Sequence, residues 1–156
     1  MRQPAVTPAS TESPPWSILV VTLITFFLPA GGAILTVRNL ARLGILGTSE
    51  AKSSSWVLVA VFGLGMGILL SLSPVGSDGI PRLDPNMTSA VYLVITAAAY
   101  IVQRRPYIAW RLQNRRQRLA SWAKGFGIAL VFQIFAVVAA IPIYLLAVSI
   151  SGGRIS

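Results

Sequence analysis

The side chains that most often carry chemistry are scarce here. Among 156 residues there is no Cys and no His. That excludes disulfides, thiolate metal sites, Cys or Ser–His nucleophilic catalysis and the usual haem ligands. General acid–base work would fall to Glu50, Asp78, Asp84, Tyr or Lys. Asp78 and Asp84 share a short loop and could hold a cation, but two carboxylates on a loop are ordinarily just solvated. Gly63, Gly65 and Gly67 imitate a nucleotide loop only in outline, since no strand precedes them and no polar surface surrounds them. Asn86-Met87-Thr88 matches a glycosylation acceptor, a pattern that arises often by chance. The expectation is a non-enzymatic protein with no cofactor and no metal.

The elements that position these residues are apolar. Hydrophobic residues make up 54% of the chain and charged residues 11%, where a soluble domain carries roughly a quarter charged. The apolar residues fall in runs long enough to cross a bilayer, about 18 residues or more. Four spans are expected, at 16–37, 56–73, 85–103 and 125–150. The first, of 22 residues, would reach roughly 33 Å as one helix, with a kink at Pro29. Residues 1–15 form a Pro-, Ser- and Thr-rich tail expected to be disordered, and 151–156 a short tail. The fold class is all-α, a four-helix transmembrane bundle.

Each span has one small or polar face, and such faces turn inward in lipid because they allow close approach and hydrogen bonding. The expected packing residues are Gly32 in the first span, Gly63 and Gly67 in the second, and Ala136 in the fourth. In the third, Ser89, Tyr92, Thr96, Tyr100 and Gln103 fall within roughly 80° of arc. A stripe that narrow must face protein or water. It is the candidate lining of a path or ligand surface, or else a source of interhelical hydrogen bonds. Gln133 is the most deeply placed amide and needs a partner. No Asp, Glu, Lys or Arg lies inside a span, which argues against proton relays and ion-coupled transport.

Residues 104–124 hold Arg104, Arg105, Arg111, Arg115, Arg116, Arg118 and Lys124 and no acid. Such a cluster between spans reads as a cytoplasmic loop. Pro106 should break the third helix, leaving a short interfacial helix or turn beyond it. Arg111, Arg115, Arg116 and Arg118, interleaved with Trp110 and Trp122, are the candidate contacts for anionic headgroups or an acidic partner surface. No nucleic-acid module accompanies the +9 net charge, so nucleic acid is not an expected partner. The loops after spans one and three carry most of the Lys and Arg. The positive-inside rule then places both of them in the cytoplasm and both termini outside.

Several stretches carry a resemblance: Pro14-Pro15-Trp16-Ser17, Pro29-Ala30-Gly31-Gly32, Arg38-Asn39-Leu40-Ala41-Arg42-Leu43-Gly44, and Gln103 through Ser121-Trp122-Ala123-Lys124-Gly125. Together they resemble a group of small bacterial multi-span membrane proteins. In that group a Gly-Pro-Leu-Ala-Gly-Gly-like turn in the first span precedes an Asn-x-x-x-Leu-Gly-like loop. Here Leu28-Pro29 stands where Gly-Pro is expected. The resemblance implies a bacterial inner-membrane location and carries over no activity. The functional expectation is an accessory, interaction or scaffold subunit with a protein partner or as a homo-oligomer. The alternative is an oligomeric channel or small-solute transporter lined by the third-span stripe.

Overall fold

A computed structural model of the chain describes residues 14–74 and 82–150. The expected tails at 1–13 and 151–156, and Asp78, lie outside the described residues. Those described form five helices and no strand: α1 Ile18–Phe27, α2 Pro29–Arg42, α3 Thr48–Leu72, α4 Pro85–Gln113 and α5 Trp122–Ile150. In lipid a helix satisfies its own backbone, so long apolar runs take this form. Three helices, α3, α4 and α5, are long and apolar enough to cross a membrane.

The first apolar run does not form a single span. α1 ends at Phe27, α2 starts at Pro29, and the two fold back on each other about Leu28. Two contacts prove the reversal. The Trp16 backbone N–H donates to Asn39 Oδ1 at 2.8 Å, although a continuous helix would separate these residues by roughly 35 Å. Nearer the tip, a Cβ on Gly32 would overlap the backbone and side chain of Thr25. The cause lies in the tip sequence. Pro29 has no N–H to give and its ring excludes continuation from the preceding turn, yet it suits the first position of a new helix. Gly31 and Gly32 follow with no side chains to hold neighbours apart. Thr25 and Thr36 bond the carbonyls of Val21 and Gly32, at 2.7 and 3.0 Å, and so bury their hydroxyls within the hairpin.

The hairpin is the centre of the bundle. α2 packs against every other helix, whereas α4 packs on α1 and α2 and approaches neither α3 nor α5. α3 and α5 run parallel. Cβ atoms on Gly63 and Gly67 would lie 2.7 Å from Ala139 Cβ and Ile143 Cβ, and Ala136 O would be 3.2 Å from the first. Alongside the hairpin Trp56 meets Phe132 and Phe135 edge-on, with ring centroids 5.6 and 5.7 Å apart.

Other boundaries also move. α4 runs through Pro106 to Gln113, because a proline inside a long apolar helix removes one bond without ending it. The expected break and separate interfacial helix are therefore one continuous extension of α4. α5 likewise continues through Pro142. Pro14 and Pro15, expected in the loose tail, are tied down: Ala120 N–H donates to Pro15 O at 3.0 Å and Arg42 Nη1 to Pro14 O at 2.9 Å. With the hairpin and three long helices, Pro14 lies at the same end as the basic stretch and Ile150 at the opposite end. Two termini on one face, the outcome of four crossings, do not follow from this arrangement.

Candidate functional site

Two polar constructions hold the hairpin, one at its base and one at its tip. At the base, Asn39 Nδ2 donates to Gln103 Oε1 at 2.7 Å and to Trp16 O at 3.3 Å. Gln103 Nε2 donates to Thr36 Oγ1 at 3.2 Å and to Ala99 O at 2.9 Å. Asn39 and Gln103 are both fully buried, so these amides are satisfied by protein alone. The Trp16 indole N–H donates to Ser121 O at 3.0 Å. A Cβ on Gly125 would come within 2.9 Å of that indole nitrogen, which is why the first turn of α5 carries a glycine against Trp16. The Arg42 guanidinium stacks 3.5 Å from the Trp16 ring centre, and Arg38 lies 4.7 Å from that of Phe132. Stacking on aromatic faces offsets part of the cost of placing guanidinium groups beside apolar helices. These contacts draw the Trp16 segment, α2, α4 and α5 to one point.

At the tip, α2 begins inside the bundle. Ten residues separate Pro29 from Asn39, about 15 Å of helical rise, or half of a hydrocarbon core of about 30 Å. The first backbone N–H groups of a helix lack intrahelical partners. Gln133 of α5 supplies one. Its Oε1 accepts from Ala30 N at 3.1 Å and from Gly31 N at 3.3 Å. Two donors on one atom fix the amide's orientation: the oxygen faces α2, and Nε2 makes no hydrogen bond within the described residues. A Cβ on Gly31 would overlap the backbone of Ala129, so the tip and α5 are in backbone contact.

Above the tip lies a cavity of about 340 Å³. It exists because α4 stands clear of α3 and α5. Pro29, Ala30 and Gln133 form its floor. Phe62, Met66, Leu69, Met87, Val91, Ile95 and Val137 are among its walls, and Ser73, Arg82 and Asp84 lie at its outer end. Tyr92 lines it. Below the floor, the packed hairpin separates it from the basic end.

The third-span stripe is thus divided. Tyr92 faces the cavity, Thr96 Oγ1 is buried without a partner, and Gln103 is locked in the basal network. Ser89 and Tyr100 are exposed on the helix surface, so they do not share the inward face that the 80° arc implied. α4 touches only the hairpin, and its inward face is narrower than a four-helix packing would make it. Gly32 belongs to the hairpin contact and Gly63, Gly67 and Ala136 to the α3–α5 contact. Arg111 Nη1 donates to Gln117 O at 3.0 Å, and Arg115, Arg116 and Arg118 are exposed. Two carboxylates cap helices: Glu50 Oε2 accepts from Gly47 N at 3.0 Å and Asp84 Oδ1 from Asn86 N at 2.8 Å. Asn86-Met87-Thr88 lies in the first turn of α4, where Thr88 bonds Asp84 O at 2.9 Å.

Trp16, Thr36 and Asn39, the centre of the basal network, were not among the expected site residues. The available signal was an Asn two residues past the apolar run, next to Arg38, with Pro-Ala-Gly-Gly inside the run. Comparisons with protein-family models, curated proteins and solved structures gave no match.

Proposed function

We propose that the chain is a non-enzymatic integral membrane protein acting as an accessory, interaction or scaffold subunit of a larger membrane assembly. The observation that carries this reading is how the buried amides are spent. Asn39, Gln103 and the acceptor of Gln133 all serve to hold the hairpin, and the cavity ends on α2 rather than continuing to the basic end. A rigid internal clasp with wide apolar flanks suits a protein that presents surfaces. α4 offers such a flank, with Val94, Ile101 and Val102 at 68%, 68% and 53% exposure.

The second reading, an oligomeric channel or small-solute transporter, is favoured by one observation: a helix N-terminus at mid-depth beneath a cavity is how broken-helix transporters build a substrate site. Photo-crosslinkers at Val94 and Ile101 in the native membrane separate the two. The subunit reading expects one recurrent protein adduct. Adducts to lipid alone, together with solute flux in proteoliposomes of the purified protein, would replace it with the channel.

The orientation follows from charge. Arg38, Arg42, Lys52 and the seven basic residues of 104–124 gather at one end, and Arg82 is at the other. The positive-inside rule makes the basic end cytoplasmic. Residue 14 then lies on the cytoplasmic side and residue 150 outside, which replaces the expectation of two external termini. The resemblance to bacterial proteins supports the inner membrane as the location. At the basic end, exposed Arg115, Arg116 and Arg118 suit anionic headgroups or an acidic partner surface.

A further inference from the structure

The cavity above the hairpin tip has no role in holding the fold. We infer that it is a binding site for a neutral, lipid-like amphiphile: one apolar chain ending in a carbonyl-type acceptor, with the acceptor seated at the floor. This goes beyond the subunit reading and does not depend on any protein partner.

Size selects the kind of occupant. The volume, about 340 Å³, lies in the range of small-molecule sites, about 300–1,000 Å³.

Lining selects the chemistry. The walls are Phe, Met, Leu, Ile and Val side chains, which suit hydrocarbon. The floor is different. Gln133 is forced by Ala30 N–H and Gly31 N–H to turn its oxygen toward α2, so the part of its amide left without a bond is the NH₂. The aligned peptides of α2 add positive potential at the same point. A hydrocarbon end would cover an unbonded donor there, at the cost of a lost hydrogen bond. A carbonyl oxygen would accept from it. Arg82 and Asp84 bring opposite charges to the outer end, so neither sign of headgroup is selected there. Because α4 packs against neither α3 nor α5, a chain can enter sideways from the bilayer.

Gly65 makes the inference testable without disturbing the fold. It lines the cavity, and a Cβ there would meet no atom within 4 Å. Gly65→Leu therefore puts a side chain into the cavity, whereas Gly67→Leu would strike α5. The full chain is placed in nanodiscs of phosphatidylcholine and exposed to a diazirine-bearing palmitoyl methyl ester. A hydrocarbon of equal length bearing the same diazirine is run alongside. The expected result is adducts on cavity residues such as Met66, Met87 and Ile95. The ester should label these about tenfold more than the hydrocarbon, the ratio one hydrogen bond of roughly 1.4 kcal/mol gives. Unlabelled ester should compete, and Gly65→Leu should lose the labelling while melting like the native protein. Labelling spread evenly over lipid-facing Val94 and Ile101, or unchanged in Gly65→Leu, would overturn the site. Equal labelling by ester and hydrocarbon would overturn the seating of the acceptor.

Discussion

Asn39→Ala should cost the folded protein roughly 2–5 kcal/mol. The Asn39 side chain makes three hydrogen bonds, accepting from Trp16 N at 2.8 Å and donating to Gln103 Oε1 at 2.7 Å and Trp16 O at 3.3 Å. Interhelical hydrogen bonds in membranes contribute about 0.6 kcal/mol on average and up to about 1.7, so three give the stated range. An independent route agrees. Alanine strands the Trp16 N–H and the Gln103 carbonyl at a point neither water nor another side chain reaches, and a stranded buried group costs about 1–3 kcal/mol. Thermal melting by circular dichroism in mild detergent measures the loss. Asn39→Ala combined with Gln103→Ala should cost less than the two single changes together, by about 0.5–3 kcal/mol, because the pair shares a bond. Asn114→Ala is the control; that side chain makes one local bond, to Trp110 O at 3.0 Å, and its loss should cost about 1 kcal/mol or less. A native melting curve for Asn39→Ala, or strict additivity with Gln103→Ala, would refute the basal clasp.

Three further outcomes follow from the same geometry. Gly67→Leu should destabilise by about 1–3 kcal/mol in the same melting assay, since a Cβ at that position lies 2.7 Å from Ile143 Cβ and 3.0 Å from Ala140 O; an unchanged midpoint would mean α3 and α5 do not meet there. Gln133→Leu removes the acceptor for two backbone donors at the hairpin tip and should cost about 1–3 kcal/mol; an unchanged midpoint would contradict the capping role. Changing Arg115, Arg116 and Arg118 together to Gln should lower retention of anionic lipid in native mass spectrometry at low salt, at roughly 1 kcal/mol per basic residue, and the difference from the native protein should shrink at high salt; unchanged retention would leave the stretch as an orientation signal alone.

Helix content and the long apolar elements were legible in the sequence because membrane helices need only local hydropathy. The small-residue spacing of Gly63 and Gly67 was legible for a similar reason: close approach needs small side chains wherever the partner lies. The hairpin was not. Twenty-two apolar residues satisfy the length rule for a span, and Pro29 alone reads as a kink. The reversal depends on bonds between residues 23 apart, Trp16 and Asn39, and 64 apart, Asn39 and Gln103. No local period reports such pairs. The packing of α4 follows from the same reversal: it rests on α1 and α2 alone, where four single spans would have made it one of four equal neighbours. The cavity was hidden for the same reason, since it exists only because α4 leans on the hairpin alone. Gln133 was identified as an amide in need of a partner, and only the reversal shows that the partner is the start of α2.

Whether the first apolar run crosses or turns back decides the topology of the helices that follow it. A reporter active only in the cytoplasm, and one active only outside, fused in turn before Met1 and after Ser156, read this directly. The hairpin predicts a cytoplasmic signal at Met1 and an external signal at Ser156. Both ends reporting from the same side would contradict it and restore four crossings.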